Sequence, residues 1–548
     1  MSVANGTLAS SEPAELSHKL NELLTFYVGD DNREELVQRI TACFSEAASS
    51  STKFVVGDDG SDVSSDDTVI EPESTSDATA HEEELTNGFS VDDENESLFR
   101  LLQDGKLKQR ELEKRVKPER AVGLRRRFVE AKTGTQLDSL PFVGYNYEHV
   151  NGACCENIIG YVPIPVGIAG PITINGEELY LPLATTEGAL VASINRGCKV
   201  ISSGTGVTAI VTNDGMTRAP MIVFDSLAEA VALYEWVQVP TNFQLLKIEF
   251  ESTSRFAKLL RIEPDLEGKI LYLRFVATTG DAMGMNMISK AVQAAMELIK
   301  KQFPMGRVLA LSGNHCVDKK AAGINWIHGR GKSVIASTTI PAEVVRTQLK
   351  TTVDALVECA NAKFHIGTST VTTIGGWNAQ SANVVAAMFI ALGQDAAQVV
   401  SSSMCLTDFR KTKDGDLDVT CTMKCLEVGT VGGGTILAPQ QATLRMLKCC
   451  GPDLQNPGHN AKRLATIICS AVVAGEISLM AALLTDDLVK SHMMHNRSTR
   501  DLHANTDTNL ARQAMLNIPS NGLPHSKTTK MVEGIKKYAK HSNCANML

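Results

Sequence analysis

Four short segments hold charged residues in surroundings that ask for an explanation. Thr185-Thr186-Glu187-Gly188 puts a carboxylate where a helix over Thr185–Ser202 is expected to open, with Thr185 or Thr186 as its cap. Free amides and the helix dipole favour the ionised form there, although a plain N-terminal charge explains the segment equally well. Asp318-Lys319-Lys320, after Ser312-Gly313-Asn314, has the composition of a solvated turn. Asp395 in Gly393-Gln394-Asp395 is different, because it falls inside the apolar run Ala382–Val400, read as one helix. An unpaired carboxylate there is costly, so Asp395 needs a partner or a task. In Ser491–Ser498, His492 and His495 stand three apart with no Glu or Cys ligand partners nearby, so a metal site is not supported.

Two glycine-rich stretches could let a ligand approach the main chain. Asp281-Ala-Met-Gly-Met-Asn-Met287 opens a helix with small residues, a geometry that turns amides outward toward an anion. Gly429-Thr-Val-Gly-Gly-Gly-Thr435 offers a second bare backbone. Neither is a G-x-G-x-x-G fingerprint or a P-loop, and each alone reads as a turn. No Ser-His-Asp or Cys-His arrangement supports a nucleophile.

The elements that must position these residues follow from periodicity and punctuation. Ser97–Lys132 is charged with helical spacing, and Gly152–Pro171 is dense in Gly, Pro and β-branched residues. Between Ala219 and Leu311 the pattern predicts strand Met221–Phe224, helix Leu227–Val237, strands Leu245–Phe250 and Ile270–Val276, helix Met283–Lys301 and strand Val308–Leu311. That order, β-α-β-β-α-β, is the split arrangement of a ferredoxin-like unit. From Gly331 onward, alternating segments and the apolar Ala382–Val400 point to a larger α+β domain built around one central helix, with the small unit inserted in it.

Composition bounds the class. At 548 residues the chain exceeds a single core, and 43% apolar with 21% charged residues is ordinary for a globular protein. The net charge of −9 is carried by 51–100, which holds 15 Asp and Glu against Lys53 and Arg100, so the rest is net positive. Such a body suits anionic cofactors but has no basic stripe for nucleic acid. The 13 cysteines include no C-x-x-C and read as free thiols, neither a disulfide framework nor a zinc site. No uninterrupted apolar run reaches about 18 residues, Ile467–Leu484 being broken by Ser470, Gly475 and Glu476, and no signal peptide is visible, so a cytoplasmic location is expected.

Taken in order from about Ser97 to Ser498, these segments, together with Glu156-Asn-Ile-Ile-Gly-Tyr161 and the Pro163–Pro171 stretch, resemble the 3-hydroxy-3-methylglutaryl-coenzyme A reductase family, eukaryotic type. The resemblance implies a helical N-terminal unit at 97–155, a large substrate and coenzyme A domain at 156–219 and 312–500, and a small NADP-binding domain at 220–311. Residues 1–46 are given no role, 47–96 is an acidic linker expected to be disordered, and 501–548 is a tail. The family reduces 3-hydroxy-3-methylglutaryl-coenzyme A with two NADPH to mevalonate, feeding isoprenoid and sterol synthesis. Carried over residue by residue, Glu187, Lys319, Asp395 and His492 take the catalytic positions. Arg218, Ser312, Asp318, Lys320, Lys363 and Asn383 match positions that hold the hydroxymethylglutaryl group or shape its pocket, and Ser193, Asn195 and Arg196 match coenzyme A contacts. Asp281, Met283, Gly284, Met285 and Asn286 in one segment and Gly432, Gly433, Gly434 and Thr435 in the other meet NADPH, with Ser254 and Arg255 at its 2′-phosphate. Glu187, Lys319 and Asp395 are expected to form one coupled cluster.

The resemblance also implies a homodimer or homotetramer whose active sites are shared between subunits, and no metal. Many relatives are anchored in the endoplasmic reticulum membrane. Two positions depart from the family pattern: Gln380 stands where an imidazole is usual, and Gln109 where a Tyr would cover coenzyme A. The spacing from His492 to Leu502 resembles a substrate site of AMP-activated protein kinase, which makes Ser498 a phosphorylation candidate able to hinder the segment carrying His492.

Overall fold

The chain divides into two units, Met1–Asn87 and Gly88–Leu548; the computed structural model describes residues 91–485, all within the second. Helix α1 (Val91–Gln103) starts ahead of the expected boundary at 97, and Asp92, Asp93 and Glu94 in its first turn suit the helix dipole. With α2 (Pro118–Thr133) it closes a small core of Leu98, Phe99, Leu102, Leu112, Ala121 and Leu124. The fully buried Arg125 ties this unit onward, donating to the Ile158 carbonyl at 2.6 Å and to Glu113 at 2.6 Å.

Strands β1 (Val166–Ile174) and β2 (Glu177–Ala184) form an antiparallel pair, and α3 (Leu190–Ser202) packs on it. The α3 helix begins later than expected, after Ala189 in a left-handed conformation. Then come β3 (Thr208–Arg218), β4 (Met221–Val223), α4 (Leu227–Trp236), α5 (Pro240–Glu251), β5 (Lys258–Glu267), β6 (Ile270–Thr278), α6 (Met285–Gln302) and β7 (Arg307–Ala310). Along this stretch the predicted strand Leu245–Phe250 is instead part of α5. Pro240 at its first turn pre-sets the helical φ, and the true second strand is β5.

Short helical turns aside, there follow α7 (Gly323–His328), β8 (Gly331–Ile340), α8 (Val353–Ala360), β9 (Gly376–Trp377), α9 (Ser381–Ala391), β10 (Cys405–Lys411), β11 (Leu417–Leu426), α10 (Ala438–Met446) and α11 (His459–Leu484). The strands from β3 onward make a mixed sheet in the order β7-β4-β6-β3-β8-β11-β10-β9, with β5 on the other edge of β6. Strand β3 joins two cores. Its Met216–Arg218 end pairs with β6, over a core from Met216 to Ile299 around α6; its Thr208–Gly215 part pairs with β8, over a larger core around α11. The fold is α+β.

The central helix is α11, not Ala382–Val400. That run ends as a helix at Ala391, and Gly393 turns the chain at φ 68°. Helix α11 is, among the described residues, the one helix long and apolar enough to cross a membrane, and 83% of its most apolar 18-residue stretch is buried in the fold. It therefore extends through Ser470, Gly475 and Glu476, which were expected to interrupt the run. Gly197 on α3 makes that packing possible: a Cβ there would lie 1.9 Å from the Ala474 carbonyl oxygen.

Candidate active site

The Asp395 carboxylate does have a partner. Lys319 Nζ lies 2.9 Å from its Oδ2, and both side chains are part exposed. Asp395 is not inside a helix but caps the short turn Ala396–Gln398, its Oδ1 accepting the Ala397 amide at 3.0 Å. Lys319 sits in a left-handed conformation at φ 60°. The hydrogen bond to Asp395 raises the Lys319 pKa, against a smaller opposing effect of burial.

Beside this pair a cleft of about 670 Å³ gathers both glycine segments: Ala282–Met287 on one wall, Gly429 and Val431–Thr435 on the other, with Asp395 between. The walls are laced together by a bridge between Ala282 and Val431 and by the Thr430 amide donating to the Asp281 carbonyl at 2.7 Å. Gly429 is required at the seam, since a Cβ would meet the Met283 nitrogen at 2.3 Å. Met283, Gly284, Met285, Asn286, Gly432, Gly433, Gly434 and Thr435 all line this cleft. Asp281 does not. Its two carboxylate oxygens accept the amides of Asp453 and Ala461, anchoring the loop to the start of α11. Ser254 accepts the Phe256 amide, and Phe256 lies against Gly280, which leaves the exposed Arg255 flanking the first glycine segment.

Below the Lys319–Asp395 pair is a buried charge network that the sequence reading missed. Arg330, fully buried, bonds Asp318 Oδ1 at 2.9 Å and makes a very short bond to Glu427, itself fully buried at the cleft wall. Burial pushes the Glu427 carboxyl up to about 7, with Arg330 pulling the other way. Burial works against the Arg330 charge too, but Glu427 and Asp318 outweigh it and raise its pKa. A guanidinium facing two carboxylates stays charged. For Asp318, burial is likewise outweighed by Arg330 and Gln398, and its pKa is lowered. The bracketing of Arg330 by Gly329 and Gly331, and of Glu427 by the second glycine segment, were the available signals. Arg218 is held by Ser289 at 3.0 Å, Ser312 lies 3.4 Å from the Cys316 sulfur, and Lys320 is exposed.

Glu187 belongs to a different group. Its Oε1 accepts the Asn383 side-chain amide at 3.1 Å, at the first turn of α9, and it lines a groove with Gly167, Ile168, Gly170, Tyr180 and Asn195. Asn195 accepts the Gly170 amide at 2.9 Å, while Ser193 and Arg196 are tied to Ser478 on α11. Asp395 lies beyond the far end of α9, and that end, Ala391, is itself about 12 Å along the axis from Asn383 at 1.5 Å per residue. Among the described residues no hydrogen bond or ion pair joins Glu187 to Lys319 or Asp395, so the expected three-member cluster is not formed within one chain. The intervening helix keeps its members apart.

What orders the Glu187 side is another overlooked residue. Glu476, wholly buried on α11, accepts the amides of Ala379 and Gln380 at 2.6 and 2.8 Å just before α9. Burial lifts its carboxyl to about 7, against those two amides and the nearby Lys363 ammonium. Gln380 turns inward and donates to the Gly475 carbonyl at 2.7 Å. A glutamate in an apolar run was the signal: a buried charge must have partners. His492 and Ser498 lie outside the described residues.

A sequence profile described as hydroxymethylglutaryl-coenzyme A reductase matches residues 121–497. The chain is 50% identical over 389 residues to the 3-hydroxy-3-methylglutaryl-coenzyme A reductase of Strongylocentrotus purpuratus, covering 70% of this chain and 42% of that protein. It is 52% identical over 389 residues to the enzyme of the same name from Xenopus laevis, covering 70% and 44%. The chain thus spans less than half the length of these curated relatives. A solved class II 3-hydroxy-3-methylglutaryl-CoA reductase from Streptococcus pneumoniae, bound to NADPH, shares the fold with a TM-score of 0.50 at 18% identity, covering 71% of this chain and 97% of that one. On the extent of these matches, the chain belongs to the hydroxymethylglutaryl-coenzyme A reductase family.

Proposed function

We propose that this chain reduces 3-hydroxy-3-methylglutaryl-coenzyme A to mevalonate and coenzyme A with two NADPH, through a hemithioacetal and mevaldehyde, in the service of isoprenoid and sterol synthesis. The observation that carries this reading is the Lys319–Asp395 ion pair at the edge of the glycine-walled cleft. The residues present fit NADPH. Gly432 and Gly433 have positive φ with open space where a Cβ would stand, Gly284 leads the first amides of α6 to the cleft, and Arg255 offers a guanidinium to a 2′-phosphate. We therefore assign 220–311 as the NADP-binding part and 156–219 with 312–500 as the substrate part. When bound, the nucleotide supplies the hydride.

The chain's own groups then handle charge and protons. Negative charge growing on the thioester oxygen meets the Lys319 ammonium, which Asp395 keeps protonated and aimed. The departing thiolate takes a proton from His492, and the mevaldehyde oxygen from Glu187. Arg218, Ser312, Lys320, Lys363 and Asn383 are assigned to the hydroxymethylglutaryl group, and Ser193, Asn195 and Arg196 to coenzyme A. Asp318 already has Arg330 and Gln398 on its carboxylate, and Asp281 has two main-chain amides, so both serve by shaping their loops.

Since Glu187 and the Lys319–Asp395 pair lie at opposite ends of α9, a complete centre needs Glu187 from one subunit and the pair from another. A dimer or tetramer supplies both. The half-exposed apolar residues Val166, Ile168 and Tyr180, in the groove that holds Glu187, give a partner a surface to cover. Phosphate on Ser498 is proposed to hinder the segment carrying His492. The deciding experiment gives the purified chain the thioester and NADPH while following nicotinamide absorbance and free thiol. Two nicotinamides oxidised per thiol released is the expected result; thiol release without oxidation, or neither, overturns the reading.

A further inference from the structure

The loop that delivers Lys319 has a backbone that does not hold itself. Asn314, Val317 and Lys319 all have positive φ, at 64°, 47° and 60°. A β-branched residue such as Val317 is a rare occupant of that region, and such a backbone persists only where its surroundings impose it. Two buried arginines do so here.

Arg330, at the entrance to β8, bonds Asp318 through one terminal nitrogen, which also meets Glu427, and bonds Thr217 Oγ1 through Nε at 3.0 Å. Its other terminal nitrogen lies 2.8 Å from the Met285 sulfur. Arg274 on β6 bonds Glu263 at 2.5 Å, the Gly329 carbonyl at 2.9 Å and Asn325 at 3.5 Å. Asn325 in turn donates to the Val317 carbonyl at 2.8 Å. Residues 317 and 318 are thus gripped from two sides immediately before Lys319. Met285 and Glu427, which Arg330 also touches, are part of the cleft wall.

We propose that Arg330, with Glu427 as its counter-ion, is a positioning residue that fixes the left-handed turn at Lys319 and registers it against the nucleotide cleft. The proposal rests on Lys319 acting as the cation of the reduction. Arg330 reaches no substrate atom itself; it acts through Asp318. Its guanidinium is suited to this because the planar fork bonds two carboxylates and a hydroxyl at once, which an ammonium on a flexible stem cannot do with fixed direction.

Removing Arg330 alone leaves Glu427 buried and unpaired and can unfold the chain. The test therefore uses Arg330→Met combined with Glu427→Gln, beside Arg330→Lys, in the full chain. Amide exchange by mass spectrometry is expected to quicken about tenfold or more over 312–322 while α3 and α11 keep their parental protection. Turnover is expected to fall about 100-fold in the double variant; in Arg330→Lys, which leaves the Glu427 wall of the cleft intact, kcat is expected to fall while KM for NADPH stays within about threefold of the parent, because a misplaced cation costs rate more than binding. Unchanged exchange in the loop, or parental kcat, overturns the proposal, as does an exchange increase spread evenly over the fold. If the parent chain itself fails to oxidise NADPH with this thioester, the proposed activity falls, and the exchange comparison still decides whether Arg330 holds the loop.

Discussion

Lys319 and Asp395 form a 2.9 Å ion pair although each is delivered by an unrelated device, the first by a left-handed turn after β7 and the second by the cap of a turn after α9. Both side chains are part exposed, so the pair is worth little to stability, less than about 1 kcal/mol. Its value is directional.

Asp395→Asn keeps the cap, since Asn serves there as well as Asp, but removes the charge that holds Lys319 protonated and aimed. Turnover is expected to drop about 100-fold or more with the melting temperature nearly unchanged. The reactive form is the ammonium, and Asp395 raises its pKa, so activity persists to higher pH than an ordinary lysine would allow. The alkaline limb of the rate profile should move to lower pH in the variant. A profile that keeps its limb would remove Asp395 from this role.

Much of this arrangement was legible in the sequence, and the exceptions have physical causes. Asp395 was singled out because a charge in an apolar run needs a partner, and one is there. The single helix expected over Ala382–Val400 is not formed, because the chain turns at Gly393 and a lone glycine in an apolar run does not announce that. Leu245–Phe250 reads as a strand by composition, but Pro240 starts a helix, while the β5 edge strand carries Lys258, Arg261, Glu263, Pro264 and Asp265, which mask its period. Arg330 and Glu427 are harder to read, because their mutual contact joins residues 97 apart in sequence and flanking glycines mark a tight backbone without naming the partner.

Gly393→Ala tests how the cleft is closed. The glycine sits at φ 68°, and a Cβ would meet the Gly434 carbonyl carbon and oxygen at 2.4 Å, which are main-chain atoms unable to step aside. The Gly432–Thr435 strip must shift. Fluorescence titration is expected to show NADPH affinity reduced about tenfold or more, with about 1–2 kcal/mol of stability lost to the left-handed alanine. Parental affinity would show that this strip does not bind the nucleotide.

Glu476 links the Glu187 side to pH. Its folded pKa of about 7 lies above the ordinary 4.5 of glutamate, so the native state binds the proton more tightly than the unfolded chain does. The stabilisation from that proton is present in full below about pH 4.5 and is lost as pH rises to about 7, an effect on the order of 3 kcal/mol. Glu476→Gln cannot titrate, and it turns an amide donor toward one of the two backbone amides that Glu476 accepts. Denaturant midpoints at pH 5 and pH 8 should show a lower stability by about 1–3 kcal/mol and a flatter pH dependence over that interval. An unchanged slope would mean that the carboxyl titrates elsewhere.

The division of the catalytic candidates between the two ends of α9 predicts how defective subunits behave together. Glu187→Gln damages one half of a shared centre and Lys319→Ala the other, so each variant alone should be nearly inactive. In a dimer of one with the other, both lesions fall in the same centre, and the second centre is built from the intact Lys319 of one chain and the intact Glu187 of its partner. Random reassembly of an equal mixture makes half the dimers mixed, each with one sound centre of two. Activity should therefore return to about a quarter of the parental level, with the thioester KM of the parent. If both groups acted within a single chain, every centre in the mixture would carry a lesion. Recovery would then be nil however completely the subunits exchanged, a condition checked by mass spectrometry of the intact assembly.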